Sequence, residues 1–206
     1  MKDTEVASRI KNVAIAGAGG IGAYLAGFLY DLGINRAQFP FPSWKWSVFD
    51  DDTVDVGNLL HQNFTEEDIG RSKAQIVSER SASCITPVKR FMTAEDFPKF
   101  DVVFSCVDSM SFRRELYAYG AKHPELYWID GRCSSRNIGL FNSRVGQKAL
   151  QASLSDSDER RGCLLAIDKQ KKVSHITPVV IASMMAQCFL NHLRGEDTVD
   201  QVLLYI

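Results

Sequence analysis

The chain of 206 residues is 45% hydrophobic and 24% charged, with a formal net charge of −1; these values predict one soluble globular domain over residues 1–206 and give no electrostatic footprint for nucleic acid. No apolar run approaches the roughly 18 residues of a membrane span, and the polar start MKDTEVASRIK has no signal-peptide core, so no membrane partner is expected. Five cysteines, Cys84, Cys106, Cys133, Cys163 and Cys188, lack paired spacing; they predict reduced thiols in the cytoplasm, with neither a disulfide framework nor a CxxC zinc site.

Residues 1–11 read as a short solvated arm. Asn12–Ala16 is an apolar strand that stops at Gly17-Ala18-Gly19-Gly20-Ile21-Gly22. From Ile21 the apolar positions take helical spacing (Ile21, Leu25, Phe28, Leu29, Leu32), which predicts a helix to Leu32 with Gly33 as its C-cap. Asn35–Lys45, with Pro40 and Pro42, is a loop. Trp46–Phe49 is a second strand that runs into Asp50-Asp51-Asp52. Asn58–Gly70 is polar and irregular, and Ser72 caps a helix over Lys73–Ser83. Val88–Met92 is a third strand, Asp101–Val107 a buried fourth, and Ser111–Lys122 a helix. Tyr127–Ile129 and Asn137–Asn142 are further strands, which leaves Cys133 in a turn. Gln151–Lys172 is polar and reads as the mobile crossing loop of the 143–175 region. Pro178 opens a helix to about Leu193, and VLLYI is a last strand. Strands alternating with helices predict a doubly wound, mostly parallel Rossmann-like sheet with helices on both faces.

Chemistry in such a sheet collects at the carboxyl ends of its strands. Gly17, Gly19, Gly20 and Gly22 permit a tight turn and a close backbone approach, and the following helix N-terminus offers N–H groups to an anion. Asp50, ending the second strand, reads either as an exposed loop aspartate or, in a nucleotide site, as an acceptor for ribose hydroxyls. Asp108, after the fourth, reads either as a helix N-cap or as a carboxylate holding Mg²⁺ beside phosphates. Lys73 reads either as a surface lysine or as a phosphate contact.

Together these residues resemble the signature of the ubiquitin-activating and ThiF/MoeB-type adenylyltransferases. The GxGGxG turn is Gly17–Gly22, and the DxDxV strand end is Asp50, Asp52 and Val54. The NLxRQ segment is Asn58, Leu59 and Gln62, the DIGxxKA segment is Asp68–Ala74, and the later acidic strand end is Asp108-Ser109 with Arg113. The resemblance implies that ATP and Mg²⁺ are used to adenylate the C-terminal carboxylate of a ubiquitin-like or sulfur-carrier protein, by a homodimer. It implies ribose binding by Asp50, phosphate contacts by Asn58 and Lys73, a metal on Asp108, and nucleotide contacts by Asp52 and Gln62.

His61 stands where the family carries an arginine, and imidazole is only partly charged near neutrality. The 35–45 link is longer than in relatives, the arm is short with Arg9 its nearest arginine, and the paired-cysteine zinc site is missing. Cys163, in ERRGC, approximates the E-R-x-C pattern of relatives with a mobile acyl-accepting cysteine, and reads equally as a small buried residue. The catalytic candidates are therefore Asp108, Lys73, His61 and Cys163. Two other readings stand beside adenylation: a non-catalytic relative serving as a binding module or heterodimer half, and an NAD(P)-dependent oxidoreductase, because GAGGIG also satisfies GxGxxG.

Overall fold

The computed structural model describes residues 5–154, 168, 170–196 and 199–206. In chain order the elements are α1 (Glu5–Arg9), β1 (Asn12–Ala16), α2 (Gly22–Tyr30), β2 (Lys45–Phe49), α3 (Lys73–Arg80), β3 (Ile85–Val88), β4 (Val102–Ser105), α4 (Met110–Lys122), β5 (Tyr127–Ser134), β6 (Asn137–Asn142), α5 (Gln147–Ser153), α6 (Thr177–Arg194) and β7 (Gln201–Tyr205). The sheet has the order β3-β2-β1-β4-β5-β6-β7. Its first five strands are parallel, and β6 and β7 join antiparallel. No helix among the described residues is long and apolar enough to cross a membrane.

Alternation along β1 shows how both faces are covered. Val13 and Ile15 enter a core cluster built with α2, α3 and α6, whereas Ala14 and Ala16 enter a second cluster with Phe112, Leu116 and Tyr117 of α4. This is the doubly wound, mostly parallel α/β sheet that the strand–helix alternation predicts. β1 has the predicted bounds, and Pro178 sits in the first turn of α6, where a missing N–H costs nothing.

Five local expectations are corrected. The arm carries α1, because Ala7 and Ile10 are buried against the first cluster. Gly33 is no C-cap: α2 runs into a π turn over Asp31–Asn35, and a Cβ on Gly33 would lie 2.3 Å from Phe41 Cβ. The third strand is Ile85–Val88, an edge strand that tolerates Pro87. The start of the 143–175 region is no loop but holds α5 over Gln147–Ser153, while the mobile-loop reading of 155–167 lies outside the described residues. Cys133 lies within β5, which extends well past Ile129. The 35–45 link is a loop as predicted, but a packed one. Phe39 stacks on Trp44 at 5.5 Å between centroids, Phe41 stacks on Trp46 at 4.4 Å, and Phe39 meets Phe189 of α6 edge-on.

Two glycines of α2 separate packing from propensity. A Cβ on Gly22 would lie 1.8 Å from the Gly17 carbonyl oxygen, whereas one on exposed Gly27 meets nothing within 4 Å. Gly22→Ala is expected to destabilise by about 1–3 kcal/mol or more through the forced shift of the turn, and Gly27→Ala to stabilise by about 0.5–1 kcal/mol. Urea unfolding midpoints of the two variants check the opposite signs.

Candidate active site

The carboxyl ends of β1, β2 and β4 meet at one point. Gly17 N–H donates to the Phe49 carbonyl at 2.8 Å, and Cys106 N–H to the Ala16 carbonyl at 2.8 Å. Gly17 has φ of +91°, and a Cβ there would come within 2.8 Å of the Cys106 carbonyl oxygen, so this position demands glycine twice over. Beyond it, Ala18 N–H donates to Asp50 Oδ2 at 2.6 Å, and Asp52 N–H to Asp50 Oδ1 at 2.8 Å. Burial pushes the Asp50 carboxyl above its ordinary value, against the opposing pull of these two N–H groups and of Lys73.

Ser72 caps α3 by accepting from Gln75 N–H, and so sets Lys73 at the helix start. Lys73 is buried, yet its Nζ reaches Asp52 Oδ2 at 3.0 Å, and its N–H donates to the Asp52 carbonyl. Asn58 forms a reciprocal cap with Asp55, which engages Asn58 Oδ1 and makes no use of its Nδ2. Gln62 Oε1 is buried without a hydrogen-bond partner among the described residues, and a Cβ on Gly19 would lie 3.7 Å from it. Gln62 Nε2 meets His61 Nε2 at 3.4 Å. Asp68 of the DIGxxKA segment serves the scaffold: it caps its own turn through Thr65 and pairs with Arg80 at 2.6 Å.

The glycine turn, the acidic strand end and the Asn58–Gln62 segment border one cleft of about 1150 Å³ at the carboxyl edge of the sheet, which Asp68 does not line. Gly17, Gly19 and Gly20 form part of its floor. Asp50, Asp52, Asn58, His61, Gln62 and Lys73 line it as well, as does half-buried Asp108. Gly22 does not line the cleft but packs beneath the turn. The cap of α4 is Ser109, which accepts from Phe112 N–H, so the N-cap reading of Asp108 is overturned. Cys163 lies outside the described residues. Cys106 is half-buried at the cleft, one residue past β4, and Cys133 also borders it. Arg9 does not line it and pairs with Glu5 on α1.

The inner wall contains what the sequence reading missed. Asp130 of β5 is fully buried. Its Oδ1 accepts from Ser105 Oγ at 2.6 Å and Arg113 Nε at 3.1 Å; its Oδ2 accepts from Tyr117 OH and Arg132 Nε, both at 2.6 Å. Burial opposes ionisation of Asp130, but the Arg113 and Arg132 charges, with the two hydroxyls, outweigh it and hold the carboxyl well below the usual carboxylate range. The visible signal is the charged pair in YWIDGRCS, since two ionic residues inside an apolar strand demand partners.

A mostly parallel, doubly wound sheet with a cleft over its glycine turn defines a Rossmann-like α/β protein. The chain belongs to the ThiF family, whose model matches residues 3–205. Ubiquitin-like modifier-activating enzyme 5 of Drosophila virilis is 28% identical over 168 residues, which is 71% of this chain and 36% of that protein. E. coli MccB in complex with MccA-N7isoASN shares the fold with a TM-score of 0.72 at 15% identity, over 98% of this chain and 63% of that one. E. coli MccB with ATP superposes with a TM-score of 0.69 at 14% identity, over 98% of this chain and 63% of that one. The chain spans about a third of the length of the curated relatives it matches.

Because the Asp130 carboxyl sits below its ordinary 3.8 in the fold, the unfolded chain binds more protons through that range. The stabilisation is present above 3.8 and is lost as pH falls toward the folded value. Asp130→Asn leaves two guanidiniums without a counter-charge, so a loss of about 3–5 kcal/mol at neutral pH is expected. The further fall in stability between about pH 5 and pH 3 should be smaller in the variant than in the parent. Denaturant titrations across that range check both.

Proposed function

We propose that this chain is an ATP-dependent adenylyltransferase, which activates the C-terminal carboxylate of a ubiquitin-like protein, a sulfur carrier or a peptide. The observation that carries this reading is the convergence of separated motif residues, from the glycine turn through Asp50, Asn58, Gln62 and Lys73 to Asp108, on one cleft. Cytoplasmic location and a homodimer are part of the proposal and rest on family resemblance.

The residues fit an adenine nucleotide. Gly17 and Gly19 leave backbone without side chains, and the buried Gln62 Oε1 beside Gly19 lacks a partner that a ligand donor supplies. Each Asp50 oxygen takes one backbone N–H, which leaves lone pairs for ribose hydroxyls. Lys73 Nζ has one carboxylate partner and two further N–H groups for phosphate oxygens, and Asn58 Nδ2 adds a neutral donor. His61 contributes an imidazole where relatives have an always-charged guanidinium, so Lys73 carries more of the charge neutralisation here.

For Mg²⁺, Asp108 is the fitting carboxylate. Among the described residues no group of three acidic, histidine or cysteine side chains could hold a metal. One carboxylate plus nucleotide oxygens is the pattern a hard divalent ion accepts. Bound there, the ion neutralises charge on the phosphates.

The proposed reaction needs no covalent help from the protein. An oxygen of the substrate carboxylate attacks the α-phosphorus, the bond to the bridging oxygen breaks, and pyrophosphate leaves with the electron pair. The chain orients the two reactants and offsets the developing negative charge through Lys73 and the turn N–H groups. Cys163 is proposed as the acceptor of the acyl group in a following step, in which its thiolate displaces adenylate.

ATP–pyrophosphate exchange tests this reading. Exchange is expected with glycine-ending ubiquitin-like or sulfur-carrier proteins or free-carboxylate peptides, and not with the same acceptors amidated. Asp108→Asn is expected to lower it by about 100-fold or more, with the fold retained. Exchange unchanged in Asp108→Asn would refute the metal role.

A further inference from the structure

β4 ends at Ser105, while Asp108 lies three residues further on, before the Ser109 cap of α4. The sheet's hold on this segment ends at Cys106 N–H. Among the described residues, the one hydrogen bond to the backbone of Val107 and Asp108 comes from Arg113, whose Nη2 donates to the Val107 carbonyl.

We infer that Arg113 is a positioning residue: anchored on Asp130, it fixes the Val107 carbonyl and thereby the direction in which Asp108 enters the cleft. The inference rests on the reading of Asp108 as the metal-holding carboxylate.

Arg113 borders the cleft, but its nitrogens are engaged within the protein. It is 5% exposed, its Nε is engaged by Asp130 at 3.1 Å, its Nη1 lies 3.7 Å from Met110 Sδ, and its Nη2 takes the Val107 carbonyl. Its anchor is held from several elements. Each Asp130 oxygen already accepts two hydrogen bonds, from groups on β4, α4 and β5. Arg132 extends the anchor to the end of α5 by donating to the Ser153 carbonyl at 2.7 Å. Rigidity held in the sheet and two helices is therefore delivered to one peptide group next to Asp108. A planar fork can serve Asp130 and the Val107 carbonyl at once, whereas a lysine ammonium is a point charge on a flexible stem that keeps the charge near Asp130 and loses the second contact.

The test is calorimetric titration of the full chain with ATP, in Mg²⁺ and in chelator. Arg113→Lys is expected to weaken Mg·ATP about tenfold, as losses of groups behind a metal ligand do, and metal-free ATP by no more than about twofold. In an Asp108→Asn background the same substitution should add no change to the Mg²⁺ dependence, a coupling that a merely structural residue would not show. If Arg113→Lys does not fold, Ser105→Ala loosens the same anchor and should give the same selectivity at about threefold. Equal weakening of both ligand forms, or none, would overturn the positioning role while leaving the nucleotide reading in place. A parent protein that binds neither form overturns both.

Discussion

The hydrogen bond from Ala18 N–H to the buried Asp50 carboxylate, at 2.6 Å, is the constraint on which the cleft depends. It ties the end of β2 to the glycine turn that follows β1. The other Asp50 oxygen takes Asp52 N–H, which turns the acidic run so that Asp52 meets Lys73 by side chain and by backbone. The start of α3 is thereby referred to the same carboxylate as the turn. Burying that carboxylate has a cost, seen in the raised Asp50 pKa, which burial causes and which N–H groups and Lys73 only partly offset.

Asp130 presents the opposite solution to the same problem. It is the more deeply buried of the two, yet its carboxyl is held below the usual range, because two guanidiniums and two hydroxyls enclose it. All its accepting capacity is engaged within the protein. Asp50 borders the cleft with capacity left over. The contrast separates a carboxylate that can meet a ligand from one that can only hold the wall behind it, and pairing rather than burial decides which is which.

Much of this was legible in the residues. The apolar run VAIA followed by glycines marks β1 and its turn, and ordered motifs far apart in the chain meet at the cleft as a parallel sheet requires. What escaped has physical reasons. Pro87 argues against a strand over Ile85–Val88 unless its edge position is known. α1 is only five residues long, and its one buried residue, Ala7, with Ile10 just beyond the helix, is too slight to read as a period. Asp130 and Arg132 interrupt an apolar strand, so β5 looked finished at Ile129; only the positions of Arg113, Tyr117 and Ser105 in space show why charges are tolerated there. Ser109 rather than Asp108 caps α4, a choice between neighbours that hydrogen bonding alone decides.

The central claim is that the cleft above the glycine turn accepts a magnesium-bound adenine triphosphate. Competition between Mg·ATP and NAD for the unmodified chain tests it most directly, because both carry a ribose for the contact proposed with Asp50, and NAD has no terminal triphosphate for those proposed with Lys73 and Asp108. Calorimetric titration with each ligand, alone and with the other present, is expected to give saturable binding of Mg·ATP and much weaker binding of NAD. Tighter binding of NAD, with ATP inert, would contradict the account.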